Sequence, residues 1–159
     1  IQDCYGYEYV VPTHQGRGAE HLISQAVIRK GQYVPGNMYF TTTRLHQELA
    51  GGIVVDVIVD MAHDPHHLHP FKGNVDLEKL EKLIESKGAD QIAYVSLAGT
   101  VNMAGGQPVS MANVKAVSKL CQQHSIPLFL DATRMVENAF FIQMSEEGYK
   151  DVPVAKILK

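Results

Sequence analysis

An acidic side chain at the predicted end of a buried strand is the residue best placed to do chemistry in this chain. Asp131 directly follows the apolar run Ile126–Leu130 and opens the segment 131–138. Because open α/β sheets bind ligands beyond the carboxyl ends of their strands, this position predicts a carboxylate that faces a ligand. Such a carboxylate can keep a heteroaromatic ring nitrogen protonated, which turns the ring into an electron sink. The alternative is that Asp131 only caps the following helix.

A glycine-rich turn supplies the second candidate feature. Gln15, Gly16, Arg17 and Gly18 lie between a strand-like segment and a predicted helix start. Glycines let the backbone approach an anion closely, and the free N–H groups of a helix start together with an arginine favour a phosphate. The spacing matches neither the P-loop nor the dinucleotide fingerprint, so the phosphate would belong to another kind of ligand. The alternative is a simple turn with a surface arginine.

Three further residues near predicted strand ends can serve the same ligand. Phe40 can stack on a ring, Asn102 can donate to a ring hydroxyl, and Arg134 can lean back toward Asp131. Each also has an ordinary explanation: a core position for Phe40, a turn cap for Asn102 and an ion pair with Glu137 for Arg134. Taken with the glycine-rich turn, the set contains the parts that hold pyridoxal 5′-phosphate (PLP).

Histidines are concentrated in the tract 62–70, but no metal site is predicted there. The tract carries two prolines and no helical register, so nothing orients the imidazoles toward one ion. The four residues are His63, His66, His67 and His69. We interpret this tract as a solvated loop. No Gly-x-Ser-x-Gly motif occurs, and neither cysteine has an adjacent histidine, so no nucleophile–base pair is predicted.

Length and composition fit an ordinary soluble protein. The 159 residues suffice for one core, and no apolar stretch approaches the ~18 residues of a membrane span. A net charge of −3 without a Lys/Arg cluster disfavours nucleic acid and anionic membranes as partners. Cys4 and Cys121 are too few for a disulfide framework, so we expect reduced thiols in a cytoplasmic protein.

Apolar runs alternate with segments of helical period, which is typical of βα repeats around a mostly parallel sheet. Strands are predicted at Tyr7–Val11, Tyr33–Phe40, Ile53–Val59, Gln91–Leu97 and Ile126–Leu130. Helices are predicted at Arg17–Arg29 and Thr43–Leu49, after the caps Asp76 and Ser110, and at Arg134–Met144. The β-branched third strand is expected to be buried on both faces. We therefore expect a three-layer α/β/α fold in which residues 1–159 are a single α/β segment.

Three segments resemble the β-eliminating lyases, a PLP-dependent family with the aminotransferase fold (fold type I). They read Pro-Thr-His-Gln-Gly-Arg-Gly-Ala-Glu at 12–20, Ala-Gly-Gly-Gln-Pro-Val-Ser at 104–110 and Glu-Asn-Ala-Phe-Phe-Ile at 137–142. The resemblance covers the chain from Tyr7 to about Tyr149. It implies that the chain is an incomplete PLP-binding large domain. The start on Ile1 and the helix-like end at 155–159 likewise suggest a fragment of a longer protein.

The resemblance implies seven cofactor-binding residues: Gln15, Gly16, Arg17, Phe40, Asn102, Arg134 and Asp131. By this resemblance, Gln15, Gly16 and Arg17 hold the phosphate, and Phe40 stacks on the pyridine ring. Asn102 and Arg134 reach the ring hydroxyl oxygen, and Asp131 pairs with the ring nitrogen. Asp131 and Arg134 are also catalytic candidates, together with Thr41. The implied reaction is α,β-elimination, in which PLP stabilises the carbanion formed at the substrate's α-carbon.

Thr41 favours the branch of the family that converts L-tyrosine to phenol, pyruvate and ammonia. Members that act on L-tryptophan, which they convert to indole, pyruvate and ammonia, generally carry an aspartate at this position. The segments 37–44, 100–102 and 131–134 also resemble the tyrosine branch. The tryptophan reaction stays open as the alternative, as does a non-catalytic α/β module that binds a phosphate ligand.

One part of the family pattern is missing. The lysine that forms the Schiff base follows a serine in a Ser-x-Lys-Lys segment, and no lysine here matches it, since Lys156 and Lys159 come too early. The arginine for the substrate carboxylate is absent as well. We therefore expect this chain to be inactive alone. The resemblance also implies a homotetramer and a bound monovalent cation such as potassium, whose ligands cannot be assigned to residues of this chain.

Overall fold

Four short strands and seven helices make up the computed structural model, which describes residues 1–159. The strands are β1 (Tyr33–Gly36), β2 (Ile53–Asp56), β3 (Val95–Ala98) and β4 (Leu128–Asp131). The helices are α1 (Gln2–Tyr5), α2 (Gly16–Val27), α3 (Thr41–Leu49), α4 (Leu77–Lys87), α5 (Met111–Gln123), α6 (Met135–Ser145) and α7 (Val154–Ile157). None of these helices combines the length and the apolar character that crossing a membrane requires.

The strands form one parallel sheet in the order β2-β1-β3-β4. The predicted α/β fold with a mostly parallel sheet is therefore confirmed. β1 lies between β2 and β3, so the chain moves to one side of β1 to form β2 and then crosses to the other side to form β3. This reversal is a topological switch point, and the crevice beyond the carboxyl ends of the flanking strands is where such sheets bind ligands.

Helices cover both faces of the sheet. Val95 and Leu97 of β3 belong to the main core together with Leu80 of α4 and Val117 of α5. Alternate residues of a strand point to opposite faces, and Val34 of β1 accordingly belongs to a second, smaller core. The sheet thus forms the middle layer of the predicted three.

The two predicted caps explain where α4 and α5 begin. Asp76 Oδ1 accepts hydrogen bonds from the backbone N–H groups of Glu78 and Lys79 at 3.0 and 3.1 Å. Ser110 Oγ accepts one from Asn113 N at 3.1 Å. These bonds satisfy N–H groups that have no partner inside the helix. Both helix starts were predicted correctly.

The strand predictions need correction. No strand forms at Tyr7–Val11, where the side chains are exposed. The predicted strand Ile53–Val59 is wrong in length and burial: β2 ends at Asp56 and is only partly buried, because it lies at the edge of the sheet. β1 ends at Gly36, four residues before Phe40. Asp131 is the last residue of β4 and does not follow it.

Candidate functional site

A cavity of about 310 Å³, here called the strand-end cavity, lies where β3 and β4 end, with walls from the loop after β1 and the start of α2. Its lining includes all seven residues that were predicted to bind a cofactor: Gln15, Gly16, Arg17, Phe40, Asn102, Asp131 and Arg134. The sheet topology explains this meeting, because the carboxyl ends of parallel strands share one edge. Residues from distant parts of the sequence therefore face one space.

The start of α2 forms one end of the strand-end cavity. Gln15 adopts an extended conformation, its side chain makes no capping bond, and its carbonyl oxygen accepts from Gly18 N at 3.0 Å. The N–H groups of Gly16 and Arg17 precede the first intrahelical bonds and stay available to a ligand. A Cβ atom added to Gly16 would meet no atom within 4 Å, so the space beside this residue is open. With the helix dipole, this is a suitable place for an anion.

The turn after β1 brings Phe40 to the cavity. Asn37 is 2% exposed and donates to the carbonyl oxygens of Gly73 and Ala98, at 2.8 and 3.0 Å, while its Oδ1 accepts from Ala98 N at 2.8 Å. Met38 then takes a left-handed conformation with φ 61°, which turns the chain out of the sheet direction. Phe40 follows as the residue before α3 and is 40% exposed. The core position considered for Phe40 is therefore wrong.

Asp131 also lines the strand-end cavity. Its Oδ1 accepts from Thr133 N at 3.1 Å and from Thr133 Oγ1 at 2.6 Å. Both hydrogen bonds use the same oxygen, so Oδ2 remains for a ligand. The local turn is the one that an Asp-x-Thr sequence favours, and it fixes the orientation of the carboxylate.

Asn102 and Arg134 stand beside Asp131 without partners inside the chain. The turn at Asn102 is closed by its backbone oxygen, which accepts from Gly105 N at 3.0 Å, and its side chain makes no capping bond. Arg134 precedes α6, and it is not part of any of the chain's four ion pairs, so the alternative pairing with Glu137 does not form. Both side chains are therefore free to bind a ligand.

Thr41 does not line the strand-end cavity, although its neighbour Thr42 does. Thr41 is the exposed first residue of α3. Thr41 is predicted to contact the substrate side chain and not the cofactor, and this contact stays a prediction. The histidine tract lies apart from the cavity in an exposed loop, where His69 Nδ1 accepts from Phe71 N at 3.0 Å.

Seven further lining residues were not assigned by the sequence reasoning: Glu20, Met38, Thr42, Ala98, Gly99, Thr100 and Thr133. Glu20 stands four residues after Gly16, and this helical spacing would have placed it on the side of the cavity. The Asp-x-Thr pattern would have found Thr133. Nothing in the sequence signals the left-handed conformation of Met38. The lining thus includes two basic residues, Arg17 and Arg134, and two acidic ones, Glu20 and Asp131.

A second space of about 220 Å³, the inner cavity, lies between the sheet and the helices α2 and α3. It shares Glu20 and Asp131 with the strand-end cavity. Gln47 is 1% exposed there, and its Nε2 donates to Tyr94 Oη at 3.0 Å. Burial raises the pKa of the Tyr94 hydroxyl, so this group is neutral near pH 7. Burial likewise raises the pKa of Tyr39 well above its ordinary value.

Fold and site together define an α/β protein in which an open helix start and a carboxylate line one cavity, beyond a topological switch point. The family model described as beta-eliminating lyase matches residues 1–158. The chain belongs to the β-eliminating lyase family.

Three curated relatives are tyrosine phenol-lyases. The chain is 65% identical over 159 residues to a tyrosine phenol-lyase of Symbiobacterium thermophilum. This match covers 100% of the chain and 35% of the relative. It is 65% identical to the tyrosine phenol-lyase of Nostoc punctiforme and 60% identical to that of Pasteurella multocida, covering 34% and 35% of these proteins. The chain thus spans about a third of the length of the curated relatives it matches.

Two solved structures share the fold. One is a SepCysS–SepCysE N-terminal domain complex, with a TM-score of 0.65 and 19% identity over 85% of this chain and 34% of the other. The second is Bna3p, a putative kynurenine aminotransferase from Saccharomyces cerevisiae, with a TM-score of 0.58 and 19% identity over 76% of this chain and 28% of the other. At this identity the likeness concerns the fold alone.

Proposed function

We propose that the full-length protein is a PLP-dependent β-eliminating lyase that converts L-tyrosine to phenol, pyruvate and ammonia. The observation that carries this proposal is the strand-end cavity, which joins the start of α2, Phe40 and Asp131 in one space. The relatives named tyrosine phenol-lyase support the choice of substrate, since they match the chain at 57–65% identity.

The residues present fit PLP at each of its functional groups. The open space beside Gly16 accommodates a phosphate against free N–H groups, and Arg17 adds a charge-assisted contact. The exposed face of Phe40 can stack on the pyridine ring. Asp131 offers its free oxygen to the ring nitrogen, and the unpaired side chains of Asn102 and Arg134 can reach the ring hydroxyl oxygen. No lysine lines the cavity, so no residue of this chain is assigned the covalent attachment.

When bound, PLP supplies a pyridine ring that accepts the electron pair left on the substrate's α-carbon. Asp131 keeps the proton on the ring nitrogen, because its negative charge favours the cationic form of that nitrogen. Thr133 holds Asp131 in place through the two hydrogen bonds to Oδ1. Phe40 would hold the ring by stacking, and the start of α2 would hold the phosphate. Thr41 binds the phenolic oxygen of the substrate, for which its neutral hydroxyl is suited.

The activity test uses the full-length protein, stripped of PLP and then reconstituted. We expect pyruvate and phenol to form from L-tyrosine only after PLP is added, while pyridoxal, which lacks the phosphate, restores little activity. L-Tryptophan run in parallel tests the alternative reaction through indole release. If the protein binds PLP but releases no pyruvate from either amino acid, the non-catalytic module becomes the better interpretation, and if it binds no PLP the proposal is wrong.

The same family membership leads us to propose a cytoplasmic homotetramer that takes part in aromatic amino-acid catabolism and is activated by potassium. Light scattering of the full-length protein tests the tetramer. Replacing potassium by sodium in the assay tests the cation, and an unchanged rate would contradict it.

A further inference from the structure

The wall of the strand-end cavity contains a carboxylate that the proposed mechanism does not use. Glu20 of α2 lies one helical turn after Gly16 and also lines the inner cavity. Its Oε2 is buried and accepts no hydrogen bond. None of the chain's ion pairs includes this residue, so no cation neutralises it from within the chain.

The one hydrogen bond of this carboxylate comes from the neighbouring helix. Thr43 Oγ1 donates to Glu20 Oε1 at 2.5 Å. Thr43 lies in the first turn of α3, three residues after Phe40. The bond therefore joins the helix whose start faces the phosphate to the helix that begins beside the aromatic ring. Hydrogen bonds to an ionised acceptor are shorter and stronger than neutral ones.

The other side-chain contacts of α3 lie beyond its first turn or face solvent. Gln47, one turn further on, is tied to Tyr94 and so to the sheet. His46 meets His21 of α2 only through an edge-to-face ring contact with centroids 5.3 Å apart. The Arg44–Glu48 ion pair lies within α3 and is exposed to solvent. Thr43 is thus the directional link between the two helices closest to Phe40.

We propose that Glu20 is a positioning residue, which acts through Thr43 to set the distance between the phosphate-binding start of α2 and the ring-stacking Phe40. This inference rests on the proposed function, with PLP as the ligand. The phosphate of PLP is joined to its planar ring through only two atoms, and both ends must be met at the same time, so a fixed spacing favours its binding. A ligand that uses one end only does not need that spacing.

The test compares three probes in the full-length apoprotein: PLP, pyridoxal and inorganic phosphate. Thr43→Val removes the donor at nearly constant volume. It is expected to raise the dissociation constant of PLP about tenfold, equivalent to ~1.4 kcal/mol. The constants for pyridoxal and for phosphate are expected to change by less than about twofold, since each probe engages a single end. Thr43→Ser keeps the hydroxyl and should restore PLP binding, and Arg44→Gln on the same helix serves as the matched control.

A double-mutant cycle approaches the same bond from the other helix. Glu20→Ala should weaken PLP binding to a similar extent, and adding Thr43→Val should cost no more, because the two residues act through one contact. Unchanged PLP affinity in both single variants would overturn the proposal. Equally weakened binding of all three probes would also overturn it, because that result indicates local damage. Additive effects on PLP affinity in the double variant would contradict it as well. If the parent protein binds no PLP, the proposed function fails and not the positioning role alone.

Discussion

Single residues in the strand-end cavity divide their bonding capacity between the protein and a ligand. Asp131 gives one oxygen to Thr133 and keeps the other free. Arg134 and Asn102 make no side-chain bond inside the chain, although the surrounding turns are closed by backbone groups. A buried polar group without a partner is costly, but these two side chains are exposed and solvated. They can therefore exchange water for a ligand at little cost.

Replacing Asp131 by asparagine in the full-length protein tests its electrostatic role. Asparagine can still hydrogen bond to a ring nitrogen but carries no negative charge, so the ring loses its proton and becomes a poorer electron sink. We expect exchange of the substrate's α-proton to slow by at least about a hundredfold, or ~2.7 kcal/mol of barrier. Proton NMR in D₂O measures it. Thr133→Val, which keeps the charge, should slow exchange by less than about tenfold, and near-normal exchange in Asp131→Asn would refute the assignment.

Thr41 offers a separate test of substrate recognition. Thr41→Val removes a hydroxyl that we expect to contact the phenolic oxygen, and it leaves the cavity lining unchanged. The ratio kcat/KM for L-tyrosine should fall at least about tenfold, or ~1.4 kcal/mol. For an amino acid with a good leaving group and no phenol, the same ratio should change little. Equal losses on both substrates would show that Thr41 does not recognise the side chain.

At the scale of elements, the candidate site depends on turns that hydrogen-bonding side chains hold in place. Asn37 connects the end of β1 to the end of β3 and to the loop at Gly73. A Cβ atom on Gly36 would lie 2.7 Å from the carbonyl oxygen of Ser96, so only glycine allows β1 and β3 to approach here. Gly36 and Asn37 thus fix the position from which the chain turns toward Phe40.

Asn37→Ala tests how much of the site's geometry this residue controls. The change removes the partner of backbone groups of Gly73, which is buried, and of Ala98, which is half-buried, so we expect the free energy of unfolding to fall by about 2–4 kcal/mol. We also expect PLP affinity to fall, because Asn37 no longer holds the turn that brings Phe40 to the cavity. Urea unfolding and PLP titration measure the two effects.

The control for Asn37 is Asn113→Ala, since Asn113 binds both backbone groups of Val75 at 2.8 and 2.9 Å and does not line the cavity. This control should lower stability and leave PLP affinity unchanged. A similar loss of PLP affinity in both variants would mean that Asn37 acts only through global stability.

The success of sequence-based prediction differed between element types for physical reasons. The starts of α4 and α5 were found because capping is a local interaction between a side chain and nearby N–H groups. Strand lengths were overestimated because strands depend on partners that are distant in sequence. The apolar run from Ile53 continues past Asp56, but there only an isolated antiparallel bridge between Ile58 and Val75 forms in place of a continued strand. The left-handed turn at Met38 depends on contacts of Asn37 with distant loops, so no local pattern reveals it.

For the whole molecule, the parallel sheet explains why residue types far apart in sequence could be assigned to one site. Gln15, Phe40 and Asp131 each stand at the boundary of an element, and the switch point between β1 and β3 gathers those boundaries. Residue type and predicted position suggested these roles, the family resemblance implied them more specifically, and the proximity of the residues follows from topology. Glu20 could have been found as well, because it follows Gly16 at the helical spacing of four residues.

The surface of the 159-residue chain carries an apolar stripe on α6 that should drive self-association. Val136, Phe140 and Met144 recur every four residues and are 52%, 52% and 66% exposed, so they form one contiguous face. We expect the isolated chain to sediment as oligomers and to bind a hydrophobic dye. The double variant Phe140→Gln and Met144→Gln should shift it toward monomer, whereas Glu78→Gln with Lys82→Gln, which removes an exposed pair on α4, should not. If the α6 variant associates as strongly as the parent chain, the free edge of β4 becomes the better explanation, since unpaired strand edges also promote association.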